Sequence, residues 1–193
     1  MLTNERIEQI LQDSGALLTG HFLLTSGRHS DRYMQCAKIL QSPAYATELV
    51  SHLHNAFKDD AVDIVISPAV GGIVIGYELA RQLGATSLFA ERENGVMTLR
   101  RGFAIPKGAR VVVAEDVITT GGSVREVIDI VKNAGGVLAG VALLVDRSGG
   151  GIDFGAKTVA AYTTAVTSYE ADNCPICAAG DIPLTKPGSR NTP

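Results

Sequence analysis

Residues 111–124 read VVVAEDVITTGGSV, and the fold is decided there. The run Val111 to Ala114 is β-branched and small, the composition of a strand buried on both faces. Two acids follow directly, Glu115 and Asp116. A hydroxyl- and glycine-rich turn comes next, Thr119-Thr120-Gly121-Gly122-Ser123, and then an apolar periodicity through Val124, Val127, Ile128 and Val131. Buried strand, acidic pair, loop and helix is an order with chemical content. Backbone N–H groups at a helix N-terminus, with side-chain hydroxyls, make a site for a phosphate dianion. Adjacent carboxylates suit ribose hydroxyls or a hydrated magnesium ion. The plainer alternative is that Glu115 and Asp116 cap a turn that Gly121-Gly122 lets reverse, but two acids on the end of an apolar strand are costly without a partner. The loop is no Walker motif, lacking Gly-Lys-Ser/Thr, and no dinucleotide fingerprint, lacking G-x-G-x-x-G.

Outward from that stretch, the chain alternates. The sequence predicts a helix capped by Asn4 with Ile7, Ile10 and Leu11 on one face, then two extended pieces around a Ser-Gly turn over residues 20–36. Ser42-Pro43 starts a second helix that turns Leu49, Val50, Leu53 and Phe57 inward. Strand 62–67, helix 72–83 and strand 86–90 form one βαβ unit, and strand 110–114, helix 123–133 and strand 137–145 a second. Strand 158–161 follows, and the Pro- and Gly-rich stretch from Asp172 reads as irregular. Such alternation predicts an α/β fold, a mostly parallel sheet with helices on both faces and ligands beyond the carboxyl ends of its strands.

Composition sets the class. A chain of 193 residues is expected to fold as one domain, 1–193, and 46% hydrophobic with 19% charged residues is ordinary for a globular protein. A net charge of −3 argues against nucleic-acid binding. The acidic, amphipathic N-terminus is not a signal peptide, and no apolar run approaches the ~20 residues of a membrane span. Three cysteines without an export signal point to a reducing cytoplasm.

Three more loops fall where this fold places ligands. Pro68-Ala69-Val70-Gly71-Gly72 opens a helix, and its glycines would let backbone amides approach a pyrophosphate; a simple strand-to-helix turn is the alternative. Residues 91–110 carry Arg92, Arg100, Arg101, Lys107 and Arg110 against Glu91 and Glu93, an excess of three positive charges in a net-negative chain. Cationic mobile loops close over anionic substrates, while a solvated hairpin turning at Asn94-Gly95 fits the same residues. After strand 137–145, Arg147 is placed to grip a ligand carboxylate, unless it pairs with Asp146 or is a surface charge.

With LTSGRHSDRY (24–33), PAVGGI (68–73) and VDRSGG (145–150), the 111–124 stretch resembles the type I phosphoribosyltransferases and, within them, the orotate phosphoribosyltransferase family, over most of the chain. The resemblance implies a central sheet with a small hood built from the N- and C-terminal segments. It implies transfer of ribose 5-phosphate from phosphoribosyl pyrophosphate to orotate, giving orotidine 5′-monophosphate and pyrophosphate on the route to UMP, with Mg²⁺ as cofactor. Glu115 and Asp116 would bind the ribose hydroxyls and the hydration shell of Mg²⁺. Thr120, Gly121, Gly122 and Ser123 would hold the 5-phosphate. Ala69, Val70, Gly71 and Gly72, with a cis Ala69–Val70 bond, would receive the pyrophosphate with Arg92. Thr119 and Arg147 would meet orotate, with backbone at Tyr33 and Met34 on the pyrimidine edge. Arg92, Arg100 and Arg101 would be the lid cations. A homodimer is implied, the lid of one chain completing the site of the other, with neither nucleic acid nor membrane as partner.

The chain departs from the commoner orotate enzymes, which carry lysines where it has Thr25 and Gly71, and an Arg-Lys pair followed by Lys and His where it has Glu91-Arg92 and Arg100-Arg101. Arginine neutralises pyrophosphate but donates no proton near neutral pH. Electrostatic stabilisation by Mg²⁺ and guanidinium groups is therefore the expected contribution. In these departures the chain resembles a branch ending in Cys-Pro-x-Cys and Lys-Pro-Gly-Ser. Another base as acceptor, or a regulator that binds phosphoribosyl pyrophosphate without catalysis, remain the alternatives. Cys174-Pro175-Ile176-Cys177 is half of a zinc knuckle; two more ligands would have to come from Cys36, His21, His29, His52 or His54, and a structural turn or chance thiol pair is the expectation. His52 and His54 read as surface residues.

Overall fold

The computed structural model describes residues 2–24, 26–165 and 167–187. Thr25, Gly188 and Ser189 therefore lie outside the described residues. Helix α1 (Asn4–Asp13) is capped by Thr3, whose hydroxyl accepts from the Arg6 N–H at 3.3 Å. The cap is thus one residue earlier than the sequence suggests, because Thr3 has the extended backbone that capping needs and Asn4 is already helical. Strands β1 (Leu17–Leu23) and β2 (His29–Met34) pair antiparallel across the Ser-Gly turn. A short helix the sequence does not announce, α2 (Cys36–Leu40), leads into α3 (Pro43–Phe57). Ser42 caps α3, and Leu49, Val50, Leu53 and Phe57 are buried as expected. His52 and His54, by contrast, are half-buried.

The main sheet is built from β3 (Ile64–Pro68), β4 (Thr86–Glu93), β5 (Val96–Leu99), β6 (Arg110–Ile118), β7 (Val137–Asp146) and β8 (Thr158–Thr163). Its order is β5-β4-β3-β6-β7-β8, parallel throughout except for β5 at the edge. Helix α4 (Gly72–Leu83) joins β3 to β4, and α5 (Gly122–Asn133) joins β6 to β7. The expected parallel α/β sheet is what forms.

Strand alternation explains why. On β6, Val112 and Ala114 pack with α1, α3 and α4 on one face, while Val111 and Val113 pack against α5 on the other. β7 repeats the pattern with Ala142 and Leu144 against Val141 and Leu143. Each such valine or leucine taken from water contributes about 1.5–3 kcal/mol, and a strand apolar at every position stays in place only between two layers of helix.

β6 runs on past Ala114 because β7 continues to pair with it: Glu115 lies opposite Leu143, Val117 opposite Val145 and Ile118 opposite Asp146. The acidic pair therefore sits within the last turn of a hydrogen-bonded strand rather than beyond it. The C-terminal stretch corrects a second expectation. It contains a 3-10 turn at Ala171–Asn173, helix α6 (Pro175–Ala179) and strand β9 (Leu184–Thr185), which pairs parallel to β1. β2, β1 and β9 form a separate three-stranded sheet, the hood.

Candidate active site

The chain leaves β3 toward one edge of the sheet and leaves β6 toward the other, so the two strands flank the point where strand order reverses. Loops after adjacent strands diverge there and leave a crevice. Gly71-Gly72 follows β3 and the acidic pair ends β6, and the two are in contact. A Cβ on Gly71 would lie 2.7 Å from Asp116 Oδ1, and one on Gly72 would lie 3.0 Å from Glu115 Oε1. Gly71 has ordinary helical angles, φ −57° and ψ −43°, so closeness and not backbone freedom requires glycine there. The Ala69–Val70 bond is cis, as the resemblance implies.

Glu115 is 8% exposed and its Oε1 accepts the Asp116 backbone N–H at 3.1 Å. Burial, reinforced by the hydrogen bond and charge of Asp116, pushes its carboxyl up to about 9. Burial thus favours the protonated form of Glu115 beside the half-buried Asp116 side chain, and a cation at the pair would compete with that proton.

The loop between β6 and α5 takes its shape from Gly121, whose φ of +74° is left-handed and on which a Cβ would lie 2.8 Å from the Phe154 ring. α5 starts at the next residue with no side-chain cap, leaving its first N–H groups for a ligand. Thr119 and Thr120 are exposed at the same end.

Between this end and the hood lies a cleft of about 1000 Å³. Its walls include Tyr33 and Met34 of β2, Asp116, Thr119, Thr120 and Arg147. Arg147 is half-buried and its Nε has no hydrogen-bond partner among the described residues. Burial holds its pKa below the usual guanidinium value. The alternative of an Asp146 pair fails: the Asp146 carboxylate instead accepts the Ser148 N–H at 2.7 Å, the Ser148 hydroxyl at 2.6 Å and the Gly150 N–H at 3.1 Å. The strand end thus folds a loop back onto its aspartate and turns the arginine into the cleft, with no ion pair among the described residues.

The lid residues are placed differently. β4 and β5 form a hairpin whose turn residues Asn94 and Gly95 both have positive φ, 51° and 86°. Arg92 donates to the Gly95 carbonyl at 2.8 Å and pairs with Glu126 at 2.9 Å. Arg100 pairs with Glu93 at 3.2 Å, and Arg101 with Glu91 at 3.0 Å. None of the three lines the cleft of its own chain. Arg110 has a structural task at the far end of β6, donating to the Asp60 carbonyl at 2.7 Å.

Sequence reasoning missed several cleft residues. Cys36 donates its thiol to the Asp116 carbonyl at 3.6 Å, tying α2 to the end of β6. Lys186 and Pro187 bring the C-terminal stretch into the wall. Their signal was the pairing of β9 with β1, a two-residue strand too short to show a period.

A phosphate loop and an acidic pair at the switch point of a parallel sheet, under a hood, define a phosphoribosyltransferase architecture. Comparison bears this out. Residues 35–161 match the family model described as phosphoribosyl transferase domain. A curated orotate phosphoribosyltransferase of Pelotomaculum thermopropionicum is 57% identical over 98% of this chain and 99% of its own length. That of Desulforamulus reducens is 53% identical over 98% of each. The crystal structure of orotate phosphoribosyltransferase from Aeropyrum pernix superposes with a TM-score of 0.70 at 28% identity, covering 81% of this chain and 93% of that one. The chain belongs to the orotate phosphoribosyltransferases, a family of the phosphoribosyl transferase domain. No helix among the described residues is long and apolar enough to cross a membrane.

Proposed function

We propose that this chain, acting as one domain over residues 1–193, transfers ribose 5-phosphate from phosphoribosyl pyrophosphate to orotate, releasing pyrophosphate and giving orotidine 5′-monophosphate for pyrimidine biosynthesis. The observation that carries the choice of orotate is Arg147. A half-buried guanidinium whose Nε has no partner among the described residues, in the cleft that Asp116 and Thr120 also line, suits a planar carboxylate. Orotate has that carboxylate and other nucleobases lack it.

The remaining roles follow the geometry. Thr119 joins Arg147 at the base. Tyr33 and Met34 lie on β2, the edge of the hood sheet, whose outward row of backbone groups faces a pyrimidine edge. Thr120, Gly121, Gly122 and Ser123 hold the 5-phosphate on the start of α5. Ala69, Val70, Gly71 and Gly72 receive the pyrophosphate. Glu115 and Asp116 hold the ribose hydroxyls, and their hard oxygen donors fit hydrated Mg²⁺. Bound there with the substrate, Mg²⁺ would offset the charge of the departing pyrophosphate. Positioning and charge, in a site closed to water, supply the rate, and no catalytic base is needed.

Arg92, Arg100 and Arg101 do not reach their own chain's acidic pair, so we assign them to the site of a second copy. Val70, 82% exposed, and Tyr77, 63% exposed, present an apolar face beside the pyrophosphate loop that supports a homodimer. Free cysteines fit the reducing cytoplasm as its place of work.

The deciding experiment is pyrophosphate release from phosphoribosyl pyrophosphate and Mg²⁺ across a panel of bases. Turnover with orotate and little with uracil, adenine or hypoxanthine is expected. Turnover favouring another base would overturn the assignment of Arg147, and binding without turnover on any base would make the chain a sensor.

A further inference from the structure

Away from the cleft, the hood gathers four side chains that the transfer reaction does not use. His21, His29, Cys174 and Cys177 bring one ligand atom each to within 4.8 Å of one another. We propose that they bind a structural zinc ion that fastens the C-terminal segment to the β1–β2 hairpin.

The distances carry the proposal. His21 Nε2 lies 3.0 Å from His29 Nδ1, and Cys177 Sγ lies 3.6 Å from His21 Nε2 and 3.3 Å from His29 Nδ1. Cys174 Sγ lies 3.5 Å from His21 Nε2. Tetrahedral zinc, with bonds near 2.0–2.1 Å to nitrogen and 2.3 Å to sulfur, needs edges of about 3.3 Å between nitrogens and about 3.6 Å from nitrogen to sulfur. These four separations match the edges of a zinc tetrahedron to within about 0.3 Å, and with all four atoms inside 4.8 Å of one another a small closing of the set completes it. Two soft thiolates and two imidazoles select zinc over the hard Mg²⁺ of the cleft.

The surroundings are those of a metal centre. His21 Nδ1 lies 3.1 Å from the Ile182 carbonyl. An N–H donated there fixes the tautomer and leaves the Nε2 lone pair aimed at the cluster. His21, His29 and Cys174 are 3%, 5% and 4% exposed while Cys177 lies exposed at the rim, and four protein ligands would leave a tetrahedral ion no open position for substrate.

The topology shows why the spacing hid the site. Pairing puts Leu23 opposite His29, and strand alternation puts His21 on the same side as Leu23. The histidines are thus diagonal neighbours across a hairpin, ring centroids 4.9 Å apart, and not the i, i+4 pair of a zinc-finger helix. Cys174-Pro175-Ile176-Cys177 arrives from the far end of the chain as the start of α6. A metal-ligand role for that segment is the alternative to the structural turn or chance thiol pair expected from its spacing.

The same segment is stitched to the hairpin around the cluster. His29 and Tyr169 exchange backbone hydrogen bonds at 2.9 and 2.8 Å, Arg28 donates to the Ser168 hydroxyl at 2.8 Å, and β9 pairs with β1. Ser168, Lys186 and Pro187 of this segment wall the cleft, so the zinc would hold one side of the base pocket in place.

The test uses the full-length chain. Elemental analysis should find about one zinc per chain in the wild type and in His54→Gln, and less than a tenth of that in Cys177→Ser and His29→Ala. Cobalt exchanged into the wild type should give intense tetrahedral d–d bands and a charge-transfer band of two thiolates, a readout that survives even if a variant fails to fold. Chelation should remove hydrogen-exchange protection from residues 21–30 and 171–187 while β3, β6 and β7 keep theirs. A wild type that takes up no zinc on titration, or a cobalt spectrum without thiolate bands, would overturn the proposal, as would full zinc content in both ligand variants.

Discussion

Gly71 packs so close to Asp116 that a β-carbon on it would lie 2.7 Å from one carboxylate oxygen and 2.8 Å from the other. The loop after β3 and the acidic pair are therefore one construction: the Asp116 carboxyl occupies the space that a side chain on Gly71 would take. Gly71→Ala is expected to leave the fold intact, as its helical angles suit alanine, while swinging Asp116 aside and lowering kcat/KM at least tenfold, about 1.4 kcal/mol. Steady-state kinetics with a thermal melt checks it. Unchanged kinetics would mean that Asp116 moves without consequence.

The acids themselves should be needed for ligand and not for folding. Asp116→Asn removes charge at constant shape, and we expect it to melt normally while weakening phosphoribosyl pyrophosphate binding or turnover at least tenfold. Calorimetric titration with Mg²⁺ present would measure this. Wild-type affinity and rate in a well-folded variant would reduce Asp116 to a turn cap.

Glu115 predicts a pH dependence. Its folded-state carboxyl is raised from 4.5 to about 9 by burial and by Asp116. Below 4.5 both folded and unfolded chains hold the proton and the stabilisation is complete. Between these values the unfolded chain has released a proton that the folded chain retains, so the ligand-free protein loses stability as pH rises. Glu115→Gln, which mimics the protonated form, should show a shallower decline in Tm across that range. A cation at the pair must displace the same proton, so Mg²⁺ with phosphoribosyl pyrophosphate should bind the wild type more tightly as pH rises. Parallel Tm curves for wild type and variant would show that Glu115 ionises normally.

Arg147 bears on base choice. With orotate, Arg147→Gln should cost ~2–4 kcal/mol in kcat/KM, because a buried carboxylate loses its charged partner. Uracil, which has no carboxylate, should be a poor substrate of the wild type and change little in the variant. Equal losses with both bases would make Arg147 structural.

How much of this could be read from the chain follows from which signals are local. The 111–124 stretch announced strand, acids, phosphate loop and helix because all four are contiguous, and β6 and α5 lie there within a few residues. Its one error, ending the strand at Ala114, arose because continued pairing with β7 depends on a distant partner. Whether Arg147 pairs with Asp146 could not be told from their adjacency; Ser148 and Gly150 settle it by taking the carboxylate. The gathering of His21 and His29 with Cys174 and Cys177 was least legible, since it joins sequence positions about 150 apart through a two-residue strand.

The lid arginines carry the last prediction. Arg100 and Arg101 are held on Glu93 and Glu91 and do not line the cleft formed by Asp116 and Arg147 of the same chain. If they serve a neighbouring copy, Arg100→Ala/Arg101→Ala and Asp116→Asn should each be nearly inactive as homodimers. Refolded together in equal amounts, half of the dimers would be mixed, and each mixed dimer would carry one site with both an intact lid and an intact acidic pair. Activity should return to about a quarter of wild type, two-fold assembly being the commonest soluble arrangement. Mixed dimers that form yet stay inactive would place the lid within its own chain, and a strictly monomeric protein by light scattering would remove the shared site altogether.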